Sequence, residues 1–434
     1  MSTQTFVPID RQTVARWAGE RNEPSWMTEI RANALELAGS LELPKLEKTR
    51  IDRWDLFAYG SYKPAKPIQS MAELPESAAK LLASEKQPEN VIVQRNSGVV
   101  LRRVSDRLAR QGVIFTDLET AVREHADLVK AHFMSAVKMD ENRLTALHAA
   151  LWNGGVFLYV PKNVTVDEPL QALFVSDDAD ATIAPHVLIV AEANSSVVYI
   201  DNYWSVGEKP FTLNGVAEVI VKPGASVRFA SVSNLGRQST AFMYRRAIAD
   251  KDGRIEWIIG ELNGGNAMSD TNTILNGNGS ASDAKIISVG TGDQKMNITT
   301  RATHYGKHSA SDMITRAVMR DEATSIINGI TKIEKGATGA NGEQTERVLM
   351  LSPKARGDAN PILLIDEDDV KAGHAASVGQ VNPEHVYYLM SRGISREEAH
   401  KLIIYGFLAP IIDEIPLENV KRQLKALVER KLGQ

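Results

Sequence analysis

The sequence predicts a mainly β chain with α-helical parts: a right-handed parallel β-helix core flanked by amino-terminal and carboxy-terminal helical regions. Between Val156 and about Ile365 the chain is a series of short β-branched runs (VFLYV, HVLIVAE, SVVYI, AEVIV, SVRFASV) cut by Gly, Asn and Asp. Apolar landmarks at Val197, Val227, Ile255, Ile286 and Met313 recur at steps of 30, 28, 31 and 27 residues, with polar turns such as KPGAS and DKDGR ahead of strands. A near-constant step of that size is what stacked β coils leave in a sequence. A β-sandwich would give turn signals every 8–12 residues or so without the longer step. At 434 residues the chain also exceeds one ordinary compact core, which suits either several domains or an elongated repeat.

The elements follow in order. Residues 1–151 read as a helical region with a short hairpin. Val14, Trp17 and Ala18 share one helical face, and Trp26, Ile30, Ala34 and Leu37 share another. The Pro-dotted stretch YKPAKPIQSMAELPES reads as an irregular crossing, and VIVQRNSGVVLRRV (91–104) as a hairpin turning at Asn96–Gly98. Helical spacing returns over 117–151 and stops at Asn153–Gly155. Residues 152–372 form the expected β-helix core, and 373–434 the carboxy-terminal helical region. There, Asn382–Pro383 supplies a cap and first position, Gly393 a stop, and Ser395 with Glu398 a capping box. Pro416 is expected to open a last helix with Val420, Leu424, Leu427 and Leu432 as its apolar stripe.

Composition narrows the chemistry. The chain has no cysteine, so disulfides, thiol nucleophiles, thiolate zinc sites and a self-held iron–sulfur cluster are excluded, and any metal must use nitrogen or oxygen. A net charge of −4 with interspersed signs, and 6% aromatic residues, argue against a nucleic-acid partner. No apolar run approaches the roughly 18 residues of a membrane span. The amino terminus carries no secretion pattern, so the expected location is the cytoplasm.

Five groups of residues are candidates for a site. His374 lies in DDVKAGHAASVGQVN, just after the acidic run Asp366–Asp369, where strand is expected to give way to helix. Its small neighbours would let another backbone approach the ring, so it is either a one-nitrogen metal ligand or a histidine satisfied at a tight junction. His304 and His308, four apart around Gly306, read as a structural pair. The acidic run lacks the Gly and terminal Glu of an EF-hand loop and reads as a solvated turn. The glycine-rich pieces NGGN (263–266), NGNGS (276–280) and GATGANG (336–342) lack the phosphate-loop form and read as turns between coils. The carboxy-terminal helices carry an excess of aromatic and apolar residues that serves as a partner surface, a cap on the solenoid, or both.

Four long segments resemble the SufB/SufD family of the SUF iron–sulfur cluster assembly machinery: EPSWMTEIR (23–31), ALHAALWNGGVFLYVPKNVTVDEPLQALF (146–174), RAVMRDEATSIINGI (316–330) and the stretch from PILLIDEDDV to GFLAPII (361–412). Within it the chain is similar to the SufD type, since SufB carries a cysteine where His374 stands here. The resemblance implies a subunit without catalytic activity that pairs with SufB through the β-helix. It implies a SufC ATPase bound through the carboxy-terminal helices at Tyr387, Tyr388, Tyr405, Phe407, Leu408 and Ile412. It also implies that His374 contacts iron or a cluster in a pocket shared with SufB, that this chain alone holds no cofactor, and that a reduced flavin is associated with the complex. A homodimer in isolation is compatible with it. The competing readings are a β-helix polysaccharide lyase or hydrolase, and a self-assembling structural β-helix.

Overall fold

The computed structural model describes residues 9–56, 58–82, 88–415 and 418–433. The amino-terminal region comprises helices α1 (Arg11–Glu20), α2 (Ser25–Ser40) and α3 (Glu76–Leu82), then strands β1 (Val91–Arg95) and β2 (Gly98–Arg103). After them come α4 (Asp106–Arg110), β3 (Ile114–Thr116), α5 (Leu118–Glu124), α6 (Ala126–His132) and α7 (Arg143–Leu151). The first eight strands of the body are β4 (Val156–Val160), β5 (Leu170–Ser176), β6 (His186–Ala191), β7 (Ser196–Ser205), β8 (Phe211–Val221), β9 (Ser226–Asn234), β10 (Ser239–Ala249) and β11 (Arg254–Glu261). The last eight are β12 (Asn266–Leu275), β13 (Ala281–Gly290), β14 (Lys295–His304), β15 (Ala310–Met319), β16 (Thr324–Ile333), β17 (Asn341–Met350), β18 (Arg356–Ile365) and β19 (Lys371–Gln380). Helices α8 (Pro383–Ser391), α9 (Arg396–Ile412) and α10 (Glu418–Gly433) close the chain.

From β4 onward, even strands stack in one sheet and odd strands in the other, every pair parallel. The body is therefore a parallel β-solenoid in which each coil gives one strand to each sheet. Alternate side chains of a strand point to opposite faces, so one set fills the lumen and the other meets the flanking helices. In the lumen, parallel register stacks like on like: Tyr199, Phe229 and Trp257 form one column with ring centroids 5.1 and 5.0 Å apart. Helices α9 and α10 bury Ile404, Leu408, Ile411, Ile412 and Leu424 against the outer face of the odd-strand sheet. Helices α1, α2, α5, α6 and α7 cover the other sheet, around Phe157, Leu188 and Phe242. The segment after α6 is tied down by Glu218 of β8, which accepts from the backbone N–H groups of Met134, Ala136 and Val137.

Three expectations change in detail. The hairpin is not an appendage of a helical region, because β1 pairs in parallel with β5 and joins the odd-strand sheet, while β3 pairs with β4 and joins the even one. The expected boundary after residue 372 falls inside β19, which runs to Gln380 because β17 offers it a full ladder of partners. The apolar landmarks hold register through Ile255, whose partner in the next coil is then Ser282; Ile286 lies four residues further on and opposes Ile259. The slip kept the lumen face, since four is a multiple of the strand period. The expected start of the last helix at Pro416 and the side chain of Val420 lie outside the described residues.

Candidate functional site

The two sheets end very differently. At the amino-terminal end the parallel stack stops at β1 and β4, and the strands that end the sheets, antiparallel β2 and β3, are buried or half-buried except at Arg102. At the other end β18 and β19 are, among the described residues, the last strands of their sheets, each with one neighbour and one bare edge. No residue of either strand is buried, and most of β19 is exposed, as are Ile362, Leu364 and Ile365 of β18. A long exposed edge with apolar side chains is a template for another strand.

His374 sits within this bare coil, in the body of β19 and not at a strand-to-helix junction. Its partner is Gln344 of β17, and Gln344 stacks in turn on Met313 of β15, a residue of the lumen core. The imidazole therefore continues a lumen column and is exposed because no further coil lies on top. Gln344 is locked: Thr331 Oγ1 donates to its Oε1 at 3.0 Å, and its Nε2 donates to the Ile362 carbonyl at 3.4 Å. Two residues along, Glu346 also points inward beneath Ala376. Its carboxylate occupies the space beside Gly329, where a Cβ would fall on Oε1. Burial pushes its pKa up to about 7.

On the outer face of the same sheet Glu256, Asp283, Asp312 and Glu343 form one in-register column of carboxylates. Lys285 neutralises its inner part, donating to Asp283 at 2.7 Å and to Glu414 of the carboxy-terminal segment. Asp312 is raised by burial and by its acidic neighbours Asp283 and Glu343. The column ends at Gly373, whose missing side chain leaves room for the Glu343 carboxylate on the outer face, the side of the strand opposite to His374.

The other candidates separate. His304 is buried with both ring nitrogens engaged, by the hydroxyls of Ser309 and Ser311 at 2.9 Å each, and burial lowers its pKa to about 4. His308 is exposed in a turn with a left-handed backbone, so the two do not form a shared site. The acidic run is the turn between β18 and β19, where Glu367 accepts from the Gly336 N–H and faces Lys335. Of the residues assigned to SufC docking, Tyr387 and Tyr388 are exposed on α8, joined by Met390 and by Leu402 of α9. Leu408 and Ile412 are instead fully buried against the solenoid, Phe407 packs there under the Arg316 guanidinium, and Tyr405 donates to the Lys425 carbonyl of α10. These four hold α9 in place. Helix α9 is apolar nearly all round, so periodicity does not show which side faces in.

Comparison with known proteins agrees with this architecture. Residues 174–407 match the SUF system FeS cluster assembly, SufBD core domain, and residues 88–172 match the SufBD protein N-terminal region. The chain belongs to the SufBD family. It is 48% identical, over the whole length of both chains, to the iron–sulfur cluster assembly protein SufD of Bacillus subtilis (strain 168). A SufBD family protein of Staphylococcus haemolyticus (strain JCSC1435) is 30% identical over 95% of this chain and 91% of its own, and one of Staphylococcus epidermidis (strain ATCC 12228 / FDA PCI 1200) is 29% identical over the same shares. Membership makes this chain a component of iron–sulfur cluster assembly and favours neither the carbohydrate-active nor the filament-forming alternative. No helix among the described residues is long and apolar enough to cross a membrane.

The sequence pattern missed Gln344, Glu346 and Gly329. The signal was present in NGEQTERVLM, where Gly342, Gln344, Glu346 and Val348 fall at alternate positions.

Proposed function

We propose that this chain is a SufD-type, non-catalytic subunit of a cytoplasmic SUF scaffold. It pairs with a SufB-type subunit through β18 and β19, and binds a SufC-type ATPase through the exposed face of α8 and the start of α9. The observation that carries the reading is the bare terminal coil with His374 at its centre. Unpaired backbone groups on β18 and β19 gain hydrogen bonds when a second solenoid end docks, and Ile362 and Leu364 lose water. A chain without thiols contributes one nitrogen to a cluster whose sulfur ligands come from the partner, histidine being an established substitute for cysteine. ATP-driven movement of the bound ATPases would be transmitted through the α9–α10 packing to the open end, a rigid-body rearrangement of the shared pocket.

Co-expression with SufB-type and SufC-type subunits tests this. Ile362→Lys with Leu364→Lys places two charges on the bare edge and is expected to abolish co-purification of the SufB-type subunit while SufC is retained. Tyr387→Asp is expected to lose SufC and retain SufB. In the anaerobically purified assembly, His374→Ala is expected to lower cluster yield. Unchanged co-purification in the edge variant overturns the pairing reading, and an unchanged yield returns His374 to a purely structural place.

A further inference from the structure

One feature of the open end is left unexplained by pairing alone. Glu346 is 2% exposed, and among the described residues it forms no ion pair. Its Oε2 has no hydrogen-bond partner at all. A buried carboxyl with a vacant oxygen is unfavourable unless a ligand or proton satisfies it. The surroundings look arranged to keep it. Gly329 on the facing sheet leaves the space its carboxylate fills, and Ala376, stacked on it in the terminal coil, covers it with only a methyl group.

Register fixes its relation to His374. Gln344 opposes His374 and Glu346 opposes Ala376, so Glu346 and His374 are diagonal neighbours on the lumen face of adjacent strands. With a strand rise near 3.3 Å and a spacing near 4.8 Å, their Cα atoms stand about 8 Å apart, within reach of one shared ion. Gln344, which lies nearest to both, is held by Thr331 and the Ile362 carbonyl and is not free to bridge them.

We propose that Glu346 and His374 together form an oxygen–nitrogen site for a divalent transition-metal ion at the mouth of the lumen, with Gly329 as the residue that makes room for the carboxylate. The inference rests on the reading of His374 given above and adds the second ligand. One imidazole and one carboxylate suit ferrous iron, cobalt or zinc, and two protein ligands leave positions open for thiolates from a docked partner. The ion would be cargo, held by its own strand pair before sulfur ligands complete its shell.

Cobalt(II) titrated into the full-length chain, followed by calorimetry and visible absorption, tests this without reference to cluster yield. The wild type is expected to bind one ion. Glu346→Gln, His374→Ala and Gly329→Ala are each expected to weaken binding about tenfold or more. Wild-type affinity in Glu346→Gln overturns the inference; if His374→Ala loses binding in the same experiment, the His374 reading survives it. Absence of cobalt binding by the wild type also overturns it. Should Glu346→Gln fail to give a cooperative melt, Glu346→Asp supplies the second arm: a shorter carboxylate is expected to bind with shifted visible bands, and bands identical to wild type overturn the inference.

Discussion

The amino-terminal end of the solenoid is closed by its own chain, whereas the carboxy-terminal end is bare. At the first end β2 and β3 run antiparallel against the outermost strands, and α7 and its neighbours bury Phe157 and Leu188 behind them. At the second end β18 and β19 have no such cover, and the residues that would need it are exposed. The lumen changes in parallel. Its early coils hold stacked aromatics with a sealed polar group of Asp201, Arg245 and Glu261, and its last coils hold Gln344, Glu346 and His374. The proposed pairing would give β18 and β19 the cover that β2 and β3 already have within the chain.

Perturbing the covered end should have the largest effect on stability. Phe157→Ala removes a fully buried ring beneath α5 and β3, and is expected to lower unfolding free energy by about 3–5 kcal/mol in a denaturant titration. A loss below 1 kcal/mol or so would mean that this end is not a packed cap.

The sealed lumen should next reveal itself through pH. Burial raises Asp201 from 3.8 to about 7, against the opposing pull of a hydrogen bond from Ser231 and the charge of Arg245. A carboxyl with a raised folded pKa contributes its stability below the unfolded value, and that contribution is lost as pH rises from about 4 through 7. Asp201→Asn should therefore flatten this decline, gaining roughly 2–4 kcal/mol on wild type at pH 8 and little at pH 4. Thermal melts across that range check it, and parallel profiles for the two proteins would show that Asp201 titrates normally.

At the bare end the same kind of truncation should be nearly silent. Leu364→Ala changes a side chain that is 47% exposed, and the expected loss in the isolated chain is within about 0.5 kcal/mol. The same substitution should weaken association with a SufB-type subunit, so the contrast with Phe157→Ala separates a surface kept for binding from one kept for folding.

The solenoid was legible because its signals are local and repeated. Turn residues at Asn96, Asp252 and Gly224 adopt the positive φ angles their types favour, and the caps at Asn382 and Ser395 form the expected side-chain bonds. His374 was found by its odd surroundings but misplaced, because GHAASVG carries no strand propensity of its own. It is extended only because β17, thirty residues away, supplies the register. Leu408 and Ile412 were misread for a related reason: an α-helix apolar on every side gives no clue to which side the solenoid takes. Glu346 was passed over because the alternation in NGEQTERVLM groups it with Gln344 and Val348 on one face but does not tell which face is the lumen.

Amide hydrogen exchange on β18 and β19, compared between the monomeric chain and its complex with a SufB-type subunit, is the most direct measurement. The edge-facing amides of both strands should exchange fast in the monomer and become strongly protected on pairing, while β1 and β4, paired on both sides, stay slow throughout. Slow exchange at β18 and β19 in the monomer, or no added protection in the complex, would contradict the claim that this end is left open for a partner.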